Sequence, residues 1–166
     1  EYDAGLHSFS GFANVVCPVR PESRGRLSLR SSDPNAAPLM QPNYLSAQAD
    51  RTLLVEALKI ARKVAEQPQI AAHIVEEYGP SKRATSDAEL LDYARRTGLS
   101  IAHQVGTCKM GTDPMAVVDP TLRVRGMEGL RVVDASVMPT LISGNTNAPT
   151  IMIGEKGADM IKEDAA

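Results

Sequence analysis

Tryptophan is absent from this chain of 166 residues, phenylalanine occurs twice and tyrosine four times. Within these residues there is little material for an aromatic cage around a cation. Cysteine is nearly as scarce. Cys17 and Cys108 are too few for a disulfide framework and lack zinc-type spacing, so a reduced, cytoplasmic setting is the expectation. The three histidines do not cluster, and no metal site is expected. A formal net charge of −2 leaves no electrostatic footprint for nucleic acid. No apolar run approaches the roughly 20 residues of a membrane span. The opening "EYDAGLHSFSGF" has neither the basic nor the apolar region of a signal peptide. It lacks an initial methionine and reads as the start of a piece of something longer. No internal repeat is visible.

What remains is ordinary globular material, 43% hydrophobic and 23% charged, long enough for one core. "HSFSGFANVVCPVR" (His7–Arg20) mixes β-branched and aromatic residues and reads as a strand. "RGRLSLRSS" (Arg24–Ser32) alternates Leu27 and Leu29 with polar neighbours and reads as a half-buried strand, with Pro21 to Ser23 as the turn before it. "DPNAAPLMQPNY" has three prolines and reads as an ordered loop. A long helix follows in "ADRTLLVEALKIARKVAEQ", where Leu54, Leu58, Ala61 and Ala65 share one face and Pro68 ends the run near Gln67. A second helix opens at "TSDAELLDYARRTG", with Ser86 and Glu89 as a capping box and Gly98 at its C-terminal end. "LRVVDAS" (Leu130–Ser136) reads as a short buried strand. The last helix, "APTIMIGEKGADMIKE", has Asn147 as a natural N-cap and Pro149 in its first turn. Gly154 and Gly157 inside it each cost about 1 kcal/mol of helix stability relative to Ala, which suggests close packing there. Strands precede helices with no βαβ alternation, an α+β pattern.

Two segments hold chemistry. "HQVGTCKMG" (His103–Gly111) places an imidazole beside Gly106, Thr107 and Cys108. A lone histidine is ordinarily a hydrogen-bonded structural residue, but short glycine-bearing segments suit main-chain approach to a ligand. "SGNTNAPT" (Ser143–Thr150) opens a helix whose N-terminus presents unpaired N–H groups and about half a positive charge, favourable to an anion. Asn147 suffices as a cap, which leaves Asn145 free. Ser143 has no G-x-S-x-G setting, so a hydrolase is poorly supported.

Taken in order, "HQVGTCKMG", "LRVVDAS" and "GNTNAPT" resemble the C-terminal signature of the glucose–methanol–choline flavoprotein oxidoreductases, choline-dehydrogenase-like members above all. "RPESRGRLSLRSSDPNAAPLMQPNYL" resembles that family's substrate-domain opening, so the likeness runs from about Phe12 to Ile161. It implies FAD-dependent oxidation of an alcohol to an aldehyde or ketone by hydride transfer to flavin N5. His103 matches the active-site histidine, and Asn145 matches a second active-site position that is histidine or asparagine in the family. Asp134 and Ala135 match residues beside the flavin's ribityl and phosphate portion. Asn147, Ala148, Pro149 and Thr150 match the helix start facing its pyrimidine ring. Imidazole suits the hydroxyl proton at neutral pH, Asn145 adds a hydrogen bond to the reacting oxygen, and the helix end suits the anionic reduced flavin.

The chain departs from the family in one respect: it contains no G-x-G, so the Rossmann phosphate cradle must come from an N-terminal FAD-binding part outside it. The resemblance then divides the chain into a substrate-binding portion over residues 1–100 and an active-site segment completing the flavin domain over 101–166. The expected partners are a small-molecule alcohol and that N-terminal part, and FAD is not expected to stay on these residues alone. Apolar faces of "LRVVDAS" and of the last helix, with Ile151, Met152, Gly154 and Gly157, are expected to pack on a flavin domain or on another copy of the chain. Two alternatives stay open, a non-catalytic folded module and a hydroxynitrile-lyase-type member that keeps flavin without redox turnover.

Overall fold

The computed structural model describes residues 7–165; residues 1–6 and 166, counted in the spans 1–100 and 101–166 above, lie outside it. The architecture is α+β, helices with one small two-stranded sheet. Contacts group the chain into two units, one holding residues up to Cys17 with Leu53–Arg96, the other Pro18–Thr52 with the residues from Thr97 onward.

In the first unit, α1 (Gln48–Ala65) supplies residues from Leu53 on. The expected stripe of Leu54, Leu58, Ala61 and Ala65 is half-buried, and Val55 beside it is the residue driven fully inside. Val55, Ala84 and Leu90 form the core, flanked by Leu58, Leu91 and Tyr93. α1 stops before Pro68, which opens the short α2 (Pro68–Ala71). α3 (Asp87–Thr97) starts where the sequence places it: Glu89 Oε2 accepts from Ser86 N at 2.8 Å and Thr85 N at 3.0 Å, and Ser86 Oγ accepts from Glu89 N at 3.3 Å. Those backbone donors, Ser86 first, hold the Glu89 carboxyl down at about 2. No strand forms over His7–Arg20. Its apolar residues find no ladder partner; His7 instead stacks on Phe9 with ring centroids 4.9 Å apart, and both rings meet Tyr78.

In the second unit, β1 (Arg26–Ser28) pairs antiparallel with β2 (Leu39–Gln41), Leu27 opposite Met40. β2 lies inside the stretch expected to be loop, because Leu39–Gln41 sits between prolines that end the strand without interrupting its ladder. The hairpin is anchored by Asp50, 3% exposed. Its carboxylate accepts from Glu22 N and Ser23 N, each at 2.8 Å, and from Ser23 Oγ. Burial pushes the Asp50 carboxyl up, but these donors outweigh it and hold the group below the ordinary carboxylate range.

The core of this unit is Val118, Leu122, Val137, Met138 and Ile153, with Val105, Met110, Val132 and Val133 against it. Leu130–Ser136 is not the expected strand. An isolated bridge joins Arg123 to Arg131, and Val132 N donates to Leu122 O at 3.1 Å. At Asp134 the run turns into a single 3₁₀ turn (Ala135–Val137). Of the run's apolar residues, Val132 and Val133 are half-buried against the core while Leu130 stays exposed. α4 (Asn147–Asp164) packs on that turn. Gly157 explains itself: a β-carbon there would overlap Val133 Cγ1 and lie 3.1 Å from Cγ2. Gly154 meets nothing of this chain within 4 Å of its β-position. Ile151 and Met152 are exposed, at 58% and 53%. Among the described residues no helix is long and apolar enough to cross a membrane.

Candidate active site

His103 sits at the head of a segment held tightly by backbone bonds. Cys108 N donates to Ser136 O at 3.0 Å and Met110 N to Val137 O at 2.8 Å, so residues 108–110 lie along the 3₁₀ turn. Gly106 permits this approach: its φ is +90°, and a β-carbon would stand 3.4 Å from Met138 O. Immediately before the imidazole, Ala102 has φ +59°. A left-handed non-glycine residue costs about 1–2 kcal/mol and survives where surrounding contacts impose it. Ser100 Oγ supplies such contacts, accepting from Ala102 N at 3.1 Å and Gln104 Nε2 at 2.6 Å.

The imidazole is half-buried, and its Nδ1 lies 2.9 Å from Thr146 Oγ1. Thr146 stands between Asn145 and Asn147, so this contact brings His103 to the segment that carries both asparagines. Thr146, not Asn147, occupies the N-cap position of α4, and Asn147 is the first helical residue. The Thr146 side chain makes no capping bond. The Thr146 backbone is itself helical, φ −83° and ψ −4°, not the extended conformation from which a capping side chain reaches the first turn, and the third helical residue, Pro149, has no N–H to offer. The hydroxyl therefore goes to His103, while Thr146 O accepts from Thr150 N at 3.0 Å and from Thr150 Oγ1 at 2.6 Å. Asn145 is exposed and its amide has no hydrogen bond among the described residues.

Asp134 is exposed and caps the 3₁₀ turn, Oδ1 accepting from Ser136 N at 2.7 Å; Ala135 packs against the core. Ala148 is exposed, and Pro149 and Thr150 are half-buried. A hollow of about 420 Å³ lies beside the same loop, between Arg20, Glu22 and Arg24 on one side and residues 140–143 on the other. Its volume suits a small molecule, but neither His103 nor Asn145 lines it, so the chemistry is argued from the imidazole and not from the hollow. Arg20 Nε donates to Ser143 Oγ across it and ties down the loop that leads to Asn145.

A hydrogen-bonded imidazole from one segment thus meets, at another, a free amide and a helix start without a side-chain cap. The family model described as GMC oxidoreductase, in its C-terminal form, matches residues 21–154. The chain belongs to the GMC oxidoreductase family. It is 47% identical over 151 residues to an alcohol dehydrogenase (acceptor) of Pseudomonas putida, covering 91% of this chain and 27% of that protein. It is 47% identical over 152 residues to an oxygen-dependent choline dehydrogenase of Klebsiella pneumoniae, covering 92% and 27%. Among solved structures, pyridoxine 4-oxidase from Mesorbium loti superposes with a TM-score of 0.76 at 31% identity, over 87% of this chain and 28% of that one. Aspergillus oryzae formate oxidase, studied for its FAD modification, superposes with a TM-score of 0.79 at 29% identity, over 88% and 26%. The chain thus spans about a quarter of the length of these GMC relatives.

The residues present fit FAD, the cofactor of such GMC oxidoreductases. No side chain caps the α4 start, so its first N–H groups stand open to an anionic oxygen. Sequence reasoning missed Thr146. A threonine directly before a helix is a signal in itself, but Asn147 one place on satisfies the same capping rule and hides it.

Proposed function

We propose that this chain is the C-terminal catalytic portion of an FAD-dependent alcohol dehydrogenase or oxidase, turning a CH–OH group into a carbonyl. The observation that carries this reading is the 2.9 Å contact of His103 Nδ1 with Thr146 Oγ1, which gathers the imidazole and the Asn145 segment into one place. Flavin, when bound, supplies the hydride acceptor. His103 accepts the hydroxyl proton at Nε2, the nitrogen that Thr146 leaves unused. Asn145 donates from its amide to the reacting oxygen, stabilising negative charge there as the proton departs. The open α4 start, with Asn147, Ala148, Pro149 and Thr150, and the Asp134–Ala135 corner would hold the cofactor. Residues 1–100 belong to the substrate-binding portion in this reading, and 101–166 complete the flavin domain.

The test uses the flavin-loaded protein that contains this chain, mixed without oxygen with a panel of primary and secondary alcohols. Bleaching of the flavin with stoichiometric carbonyl product is expected for at least one alcohol. Cleavage of a cyanohydrin with the flavin unbleached throughout would favour lyase chemistry, and failure of both would favour a non-catalytic module.

A further inference from the structure

We infer that Thr146 is a positioning residue for His103, fixing which imidazole nitrogen faces the reacting oxygen; this rests on the proposed role of His103. Three observations converge on it. Thr146 is buried, 8% exposed, so its hydroxyl has little access to water. Its main-chain oxygen is held by Thr150 N and by Thr150 Oγ1 at 3.0 and 2.6 Å, so the residue is anchored to the first turn of α4. Finally, Thr146 is helical in its own backbone, φ −83° and ψ −4°, Pro149 removes one of the two N–H groups open to a capping hydroxyl, and α4 has no side-chain cap. A threonine at this position ordinarily serves the helix as a cap, and here its hydroxyl is committed to the imidazole at 2.9 Å.

Either imidazole tautomer satisfies that contact, but they differ in consequence. With the proton on Nδ1, His103 donates to Thr146 Oγ1 and Nε2 carries the free lone pair. After Nε2 takes the hydroxyl proton, the ring is cationic and the same Nδ1–H···O bond becomes charge-assisted, hence stronger. With the proton on Nε2 instead, the lone pair sits on Nδ1 against Thr146 and none faces the alcohol. Thr146 therefore acts through His103: it prevents ring rotation, keeps Nε2 toward the alcohol and strengthens its hold as the proton arrives.

The experiment compares Thr146→Val, which keeps the shape and removes the hydroxyl, with Thr146→Ser, which keeps the hydroxyl, each alone and combined with His103→Ala, in the flavin-loaded protein that contains this chain. Flavin reduction by the best alcohol is followed in single turnovers. Thr146→Val is expected to slow it about 10- to 100-fold, the range of one hydrogen bond to a group that becomes charged, with Thr146→Ser within a few-fold of the parent. In the His103→Ala background Thr146→Val should cost nothing more. An equal loss in both backgrounds, or a parent-like Thr146→Val, overturns the proposal. If Thr146→Val fails to fold, Thr146→Ala against Thr146→Ser gives the same comparison. Nitrogen NMR of labelled histidine, with the His103 signal assigned by its loss in His103→Ala, should show the proton on Nδ1; a proton on Nε2 overturns the proposal without any turnover measurement. A His103→Ala protein that reduces flavin at the parent rate refutes the reading of His103 itself, an outcome separate from these.

Discussion

Ser23 and Asp50 are joined twice, through Ser23 N at 2.8 Å and through Ser23 Oγ. The hydroxyl in turn accepts from Ala47 N at 3.0 Å, so its proton has one destination, the carboxylate. This arrangement seats the β1–β2 hairpin on the start of α1 and demands an acceptor-only side chain. Asp50→Asn puts an NH₂ among N–H donors, leaving buried groups unpaired. A loss of about 1–3 kcal/mol is expected, read from denaturant unfolding; a variant as stable as the parent would mean the clamp is slack.

Gly157 and Gly154 lie three residues apart in α4 but should respond oppositely to alanine. Gly157→Ala gains helix propensity yet drives a β-carbon into Val133, and overpacking of this kind typically costs about 1–3 kcal/mol. Gly154→Ala meets open space and should stabilise the 166-residue chain by up to about 1 kcal/mol. Thermal unfolding of the two variants checks the sign; equal shifts would contradict the packing of α4 on Val133.

The capping box of α3 predicts a pH window. Glu89 titrates at about 2 when folded, against an ordinary 4.5. Its contribution is therefore complete above the unfolded value and is lost as pH falls from 4.5 toward 2. Acid unfolding of the parent should steepen in that interval relative to Glu89→Ala, which lacks the group. Identical acid limbs would show that the backbone N–H groups of Thr85 and Ser86 do not hold the carboxylate.

These 166 residues alone should not retain FAD. The uncapped helix start contributes about 0.3–1 kcal/mol toward an anion when exposed, whereas micromolar binding needs about 8 kcal/mol. Incubation with FAD followed by gel filtration should give colourless protein; yellow protein would show that the phosphate cradle is not needed.

What the sequence discloses depends on how local the cause is. The α3 capping box and the end of α1 before Pro68 are short-range, and both stand where the sequence places them. Leu130–Ser136 was not legible as bridges and a turn, because an apolar run declares burial without declaring a ladder partner. His7–Arg20 failed as a strand for the same reason. At the site, His103 and the asparagines are legible as types in short loops, but the link through Thr146 spans 43 positions and depends on a helical backbone at Thr146 that leaves its side chain out of the cap.

The most direct measurement of the role assigned to His103 is anaerobic flavin reduction by His103→Ala in the full flavin-loaded protein, with flavin content measured in the same sample. Loss of a positioned base should slow reduction by about 10²–10⁴-fold with flavin content unchanged, and Asn145→Ala should slow it less. Reduction by His103→Ala at the parent rate would contradict the assignment.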